Sequence, residues 1–116
     1  MKSYQVVFAR WSDGYYYPGT IWEVFSDSAR VDFFDGDSEK IALENIIDLE
    51  EGFDILELQA NYKHKGMFFK AKLKSREPLR VKYYIDGEME TVELAQLRGL
   101  KEGEKGKGIF GHRRAL

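Results

Sequence analysis

The chain has 116 residues, of which 43% are hydrophobic and 33% are charged, as expected for a soluble globular protein. It contains no Cys, so disulfides, thiol catalysis and Cys-based zinc sites are excluded. No apolar run approaches the roughly 18 residues of a membrane-spanning helix, and the N-terminal residues lack a signal-peptide core. We therefore expect an intracellular protein with one ordinary domain or two very small ones.

Charge is unevenly distributed along the chain. Residues 1–50 contain ten acids and four bases, a net charge of −6, whereas residues 51–116 contain ten acids and fourteen bases, a net charge of +4. This asymmetry indicates either two different faces or partners, or an uneven solvated surface. Aromatic residues make up 15% of the chain, and they favour strands over helices. An all-β fold is the first expectation.

A sequence repeat with a period of about 51 residues runs through the chain. Four blocks return in the same order with nearly constant spacing: 8–14 over 59–66, 15–21 over 67–73, 31–36 over 81–87, and 39–43 over 90–94. Such self-similarity is typical of one supersecondary unit used twice. The repeat predicts units at residues 1–50 and 58–100, a short packed connector at residues 51–57, and a flexible basic tail at residues 101–116.

Each repeat has the pattern of several short strands. In the first, Val7, Ala9 and Trp11 alternate with Phe8 and Arg10, which is the period of a strand. The following elements are a turn at 12–14, a bent strand at 15–25, strands at 30–34 and 39–43, and a helical turn or last strand at 44–47. The second repeat has a turn at 63–66 and strands at 67–73, 80–85 and 89–94. Five short strands that curl on themselves form a small barrel, and two such units would pack against each other.

The residues of the first repeat resemble a known family. Residues 7–21 read Val-Phe-Ala-Arg-Trp-Ser-Asp-Gly-Tyr-Tyr-Tyr-Pro-Gly-Thr-Ile, and residues 31–36 read Val-Asp-Phe-Phe-Asp-Gly. This pattern resembles the Tudor domains of polycomb-like and DNA-damage-reader chromatin proteins, and the second repeat is similar to Tudor-like units more loosely. The resemblance covers about residues 4–100. It implies two SH3-like Tudor barrels in tandem, of the royal family of chromatin readers, in a nuclear protein.

Many Tudor domains hold a methylated Lys or Arg side chain in a cage of aromatic rings. A methylated ammonium keeps its charge but loses hydration, and each ring face that it meets contributes roughly 0.5–2 kcal/mol. The resemblance implies a methyl-lysine cage of Trp11, Tyr17, Phe33 and Asp35. It implies a weaker second cage of Tyr62, Phe69, Tyr84 and Asp86, in which Tyr83 is the alternative to Tyr84.

Two observations bear on these cages. The family often places a further aromatic just after the turn of the third strand, where this chain has Asp37, Ser38 and Glu39. Core packing is the alternative role of the rings, because aromatic residues of a small β-barrel commonly form its interior.

Basic residues of the second repeat indicate a rival site. Lys70 and Lys72 alternate with Ala71 and Leu73, so that on a strand the Lys side chains point outward together. Such a face can follow a phosphate backbone, and the residues expected to contact nucleic acid are Lys63, Lys65, Lys70, Lys72, Lys74 and Arg76. The alternative is that a Lys-rich strand only discourages edge pairing.

The sequence contains no catalytic motif. Its two His residues, His64 and His112, have no metal-ligand spacing, and no nucleophile motif surrounds any Ser. We expect no enzyme, no cofactor and no metal. The prediction is a monomeric module that reads methyl-lysine in a basic peptide of the histone-tail type. The alternatives are a DNA- or RNA-binding tandem SH3-like module that uses the basic face of the second barrel, and a protein-interaction scaffold without a working cage.

Overall fold

The computed structural model describes residues 1–101, which form ten antiparallel strands and one short helix. The strands are β1 (Val6–Arg10), β2 (Tyr16–Val24), β3 (Ser28–Phe33), β4 (Ser38–Ala42), β5 (Ile46–Asp48), β6 (Leu56–Asn61), β7 (Phe68–Arg76), β8 (Leu79–Tyr83), β9 (Met89–Thr91) and β10 (Leu97–Lys101). The chain is mostly antiparallel β-sheet, which is compatible with the predicted all-β class. The predicted flexible tail lies outside the described residues, apart from Lys101, which ends β10.

The order of elements occurs twice. In each half of the chain, four strands are followed by a 3₁₀ turn and a fifth strand, and these turns span Leu43–Asn45 and Leu94–Gln96. The second half has one further 3₁₀ turn, Tyr62–His64, between β6 and β7. The second and third strands of each half also pair with a shift of register, at residues 21–23 in β2 and at residues 73–75 in β7. The sequence repeat therefore coincides with a repeated order of elements, down to the position of a strand irregularity.

The two halves meet at β10. Hydrogen-bonded neighbours follow the order β4-β3-β2-β10-β6-β7-β8-β9, and β1 pairs with both β2 and β5. β10 pairs with β6 over its whole length and with β2 at Gly99 and Tyr16. Among residues 1–101, no pairing joins β4 to β9, so the ends of this path stay open.

Three groups of buried side chains form the interior. The first combines residues of the first half, including Val7 and Val31, with Leu100 of β10. The second lies within residues 60–97 and includes Val81. The third group takes Phe8 from the first half and Leu56 from the second. Because successive side chains of a strand point to opposite faces, β1 contributes Val7 to one group and Phe8 to another. The two halves therefore share buried surface.

The connector between the halves is helical. Helix α1 (Leu49–Ile55) covers most of the predicted connector at residues 51–57, and the rest of it starts β6. Phe53 of α1 meets the fully buried Phe8 edge to face, with ring centroids 5.7 Å apart. Gly52 lies against the same ring of Phe8. Helix α1 therefore contacts a buried ring of the first half, and its helical conformation was not predicted.

No helix within residues 1–101 combines the length and the apolar character that crossing a membrane requires.

Candidate functional site

Trp11 lies at the surface of the first half, on the turn that joins β1 to β2. The Trp11 amide donates to the Tyr15 carbonyl and the Gly14 amide donates to the Trp11 carbonyl, both at 2.9 Å. Gly14 has a φ of +90°, which only Gly adopts readily, so this residue permits the turn. The half-buried indole meets the ring of Phe33 edge to face, with centroids 5.5 Å apart at 85°.

Tyr17 and Phe33 belong to the interior of the first half. Their exposed fractions are 7% and 3%, and both pack in the first buried group. The Tyr17 hydroxyl donates to Oδ2 of the buried Asp13 at 2.7 Å, which fixes the ring inside. The structure thus brings Trp11, Tyr17 and Phe33 into one cluster, in which Trp11 is the member that reaches the surface.

A groove of about 250 Å³ opens beside Trp11. Its lining residues are Arg10, Trp11, Ser12, Glu39 and Ile41. Glu39 and Ile41 share a face of β4 because they are two residues apart on a strand. The groove therefore combines one indole, one acid and one base.

Asp35 was predicted to be the acidic member of the cage, but it does not lie beside Trp11 in the groove. It lies in the exposed turn after β3, where its Oδ1 accepts from the Asp37 amide at 3.3 Å, and it does not line the groove. Glu39 takes the place beside Trp11. The signal that could have identified Glu39 is its register, since it pairs with the buried Val31 of β3.

Tyr62 is the centre of an aromatic cluster in the second half. Its ring centroid lies 5.4 Å from that of Phe69 and 4.8 Å from that of Tyr83, and both pairs are edge to face. Tyr84 is instead 61% exposed, with Lys70 Nζ 5.1 Å from its ring centroid. Of the two alternatives in the sequence, the structure places Tyr83 with the rings.

The turn after β8 explains this placement. The Tyr83 amide donates to the Glu88 carbonyl, as the Phe33 amide donates to the Asp37 carbonyl in the first half. Tyr83 is therefore the counterpart of Phe33, and the extra residue, Ile85, lengthens the turn.

Acidic side chains and one Lys surround Tyr62. Its hydroxyl donates to Asp86 Oδ2 at 2.6 Å, and this hydrogen bond lowers the pKa of Asp86 and raises the pKa of Tyr62. Lys63 Nζ lies 3.0 Å from Glu88 Oε2 and 5.1 Å from the Tyr62 ring centroid. Its hydrogen bond to Glu88 raises the pKa of Lys63. A cation from the chain itself already occupies this aromatic and acidic cluster.

Several of the predicted nucleic-acid contacts form ion pairs within the chain. Lys63 pairs with Glu88, Lys70 lies 3.9 Å from Glu57, and Arg76 pairs with Glu50 and, at 3.5 Å, with Asp54. The other three, Lys65, Lys72 and Lys74, are exposed and form no ion pair within residues 1–101.

Arg98 joins the two halves and was not identified from the sequence. It is 4% exposed, and its guanidinium carbon lies 3.8 Å from the Tyr15 ring centroid and 4.3 Å from that of Phe68. Its Nε donates to Gln59 Oε1 at 2.7 Å, and its Nη1 lies 3.5 Å from the Tyr17 hydroxyl oxygen. A buried cation is thus held between rings of the first and the second half.

Comparison with known proteins adds no assignment. No protein-family model matches the chain, and no curated protein matches it in sequence. The groove at Trp11, the cluster around Tyr62 and the basic face of β7 are therefore the features from which function is inferred.

Proposed function

We propose that this chain is a non-catalytic binding module of two Tudor-type SH3-like barrels. Its first barrel would bind a methylated Lys side chain of a basic, histone-tail-type peptide in the groove at Trp11. The observation that carries the proposal is that Trp11 and Glu39 line the same groove. The indole of Trp11 also packs edge to face against the ring of Phe33. The repeated order of four strands, a 3₁₀ turn and a fifth strand supports the barrel type.

The chemistry of the groove favours a methylated ammonium. Methylation weakens the hydration of the cation, so that less water must be removed before it meets the Trp11 face. Phe33 holds the indole in place, which reduces the entropy lost on binding. Arg10 and Glu39 both line the groove, so the lining has one charge of each sign. The ring, not net charge, would therefore separate methylated from unmethylated Lys.

Glu39 and the charge of the first half would shape the choice of ligand. A carboxylate beside the ring can accept the remaining N–H of a mono- or dimethylated ammonium, a charge-assisted hydrogen bond that a trimethylated ammonium cannot form. The net charge of −6 over residues 1–50 attracts a basic peptide. With a single, half-buried ring at the groove, we expect a dissociation constant above about 10 μM. A nuclear location follows from this proposed role.

An NMR titration tests the proposal with a control inside the same molecule. The chain has two Trp residues, and Trp22 is 53% exposed at a separate position, where it contacts Tyr4. Labelled protein is titrated with histone-tail peptides that carry unmodified, mono-, di- or trimethyl-lysine. The indole N–H signal of Trp11 should move saturably with the methylated peptides, while that of Trp22 stays in place.

Variants complete the test. Trp11→Ala should abolish binding, whereas the matched variant Trp22→Ala should retain it. Glu39→Gln should weaken binding of the dimethylated peptide more than that of the trimethylated peptide. If methylated and unmodified peptides shift the Trp11 signal equally, or neither shifts it, the proposal is wrong.

A further inference from the structure

Corresponding strands of the two halves differ in charge. The pair β7 and β8 contains six bases and no acid: Lys70, Lys72, Lys74, Arg76, Arg80 and Lys82. The corresponding pair, β2 and β3, contains Glu23, Arg30 and Asp32. Because the two halves share their strand order, this contrast is a property of the side chains and not of the fold.

Lys72 and Lys82 are direct neighbours across the β7–β8 ladder. Side chains at such positions share one face of the sheet with Cβ atoms about 5 Å apart, and like charges there are destabilising. The corresponding pair of the first half is Thr20 and Asp32, which carries no such repulsion. Both Lys side chains are exposed, and neither forms an ion pair within the described part of the chain. An anion between them would relieve the repulsion.

These two Lys residues line a groove of about 310 Å³, here called the lysine groove. Its lining residues are Lys72, Lys74, Lys82, Tyr83, Tyr84 and Gly87. Tyr84 is its exposed aromatic wall. Lys70 Nζ lies over the ring of Tyr84 and is 3.9 Å from Glu57 Oε1. The contact with Lys70 helps to hold the ring in position. The lysine groove thus offers three cations and one supported ring.

We propose that the lysine groove binds single-stranded nucleic acid. Phosphates would lie against Lys72, Lys74 and Lys82, and a base would stack on Tyr84. A single strand fits better than a duplex because stacking requires a free base face, which a duplex conceals. Lys presents a point charge without fixed hydrogen-bond geometry, so recognition would be tolerant of sequence. This site does not involve Trp11 and is independent of methyl-lysine binding.

Fluorescence anisotropy of a labelled 12-nucleotide oligo(dT), titrated with the full chain, tests the inference. Saturable binding is expected at 50 mM NaCl. With three phosphates contacted, the logarithm of the binding constant should fall with the logarithm of salt concentration with a slope of about −2. Lys72→Gln, Lys74→Gln and Lys82→Gln together should weaken binding at least tenfold.

A matched variant removes equal charge elsewhere. Lys2 and Lys40 are exposed and Lys101 is half-buried, and all three lie outside the lysine groove. Their combined change to Gln should therefore weaken binding less than threefold. If the two triple variants lose affinity equally, the attraction is not localised in the groove and the inference is overturned.

Variants of Tyr84 test stacking. Tyr84→Ala should weaken binding fivefold or more, whereas Tyr84→Phe, which keeps the ring, should bind like the unchanged protein. A duplex of the same length that binds as tightly as the single strand, together with no effect of Tyr84→Ala, would also overturn the inference. The repulsion between Lys72 and Lys82 can be checked independently of binding. Because Lys82→Gln removes one of these two exposed charges, it should raise the thermal stability of the free protein at low salt.

Discussion

Arg98 gives the sharpest prediction about stability, because its side chain is buried between the two halves. Arg98→Met keeps an aliphatic side chain of similar length but removes the cation and its hydrogen-bond donors. The change would leave Gln59 without a donor at 2.7 Å and would take the guanidinium away from the rings of Tyr15 and Phe68. It would also remove the cation beside Tyr17, whose hydroxyl donates to Asp13.

The expected loss is about 3 kcal/mol of unfolding free energy. Each desolvated ring contact of a cation contributes about 1–2 kcal/mol, and a hydrogen bond from a charged donor contributes about 1.5–3 kcal/mol. Relief from burying the charge offsets part of this loss. For a chain near 100 residues, such a loss lowers the melting temperature by roughly 10–20 °C.

Urea unfolding, monitored by circular dichroism, measures this loss of unfolding free energy. Arg80→Met is the matched control, because Arg80 is half-buried on β8 and forms no ion pair within the described residues. The control should change the unfolding free energy by no more than about 0.5 kcal/mol. If Arg98→Met loses no more than the control, the cation does not stabilise the contact between the halves.

Two further predictions concern single contacts. Gly52→Ala commonly stabilises a helix, but here it should destabilise the protein by about 1–3 kcal/mol. The new Cβ would overlap Phe8 Cδ2 and would lie 3.0 Å from Phe8 Cε2. A raised urea midpoint would refute the clash. Tyr62→Phe should raise the pKa of Asp86 toward its ordinary value. A carboxyl group whose pKa is lowered by folding stabilises the protein at pH values above its unfolded pKa, and this stabilisation is lost as the pH falls. Because Tyr62→Phe removes the cause of the lowered pKa of Asp86, the variant should lose less stability on acidification. Carboxyl NMR and urea midpoints from pH 7 to 2 measure both effects, and an unchanged Asp86 titration would contradict the role of the hydroxyl.

Local patterns predicted the strands and the repeat because both depend on neighbouring residues. Alternation of side chains and turn residues led to the mostly-β fold. The interval at residues 44–47 was expected to be either a helical turn or a strand, and it contains the end of a 3₁₀ turn followed by β5. Helix α1 was missed because seven residues are too few to display a helical period against flanking strands.

The candidate sites were harder to predict because they depend on register and on distant contacts. The choice between Tyr83 and Tyr84 was decided by the longer turn that contains Ile85, which no local pattern fixes. Burial of Arg98 depends on Tyr15 and Phe68, which lie far from it in sequence. Polar residues that become buried through such contacts do not have a signature in their own segment.

The size of the two halves explains why several predicted cage rings are interior residues. Small units bury little surface, so each ring that packs inside contributes strongly to stability. Tyr17, Phe33 and Tyr83 serve this role, and Lys63 already lies over Tyr62. Side chains around each interior therefore determine the surface that each half offers to a partner. The acidic half offers the indole of Trp11 beside Glu39, and the basic half offers the Lys side chains of the lysine groove beside the exposed Tyr84. The two ligands that we propose, a cationic peptide and an anionic nucleic acid, would bind to the acidic and the basic half respectively.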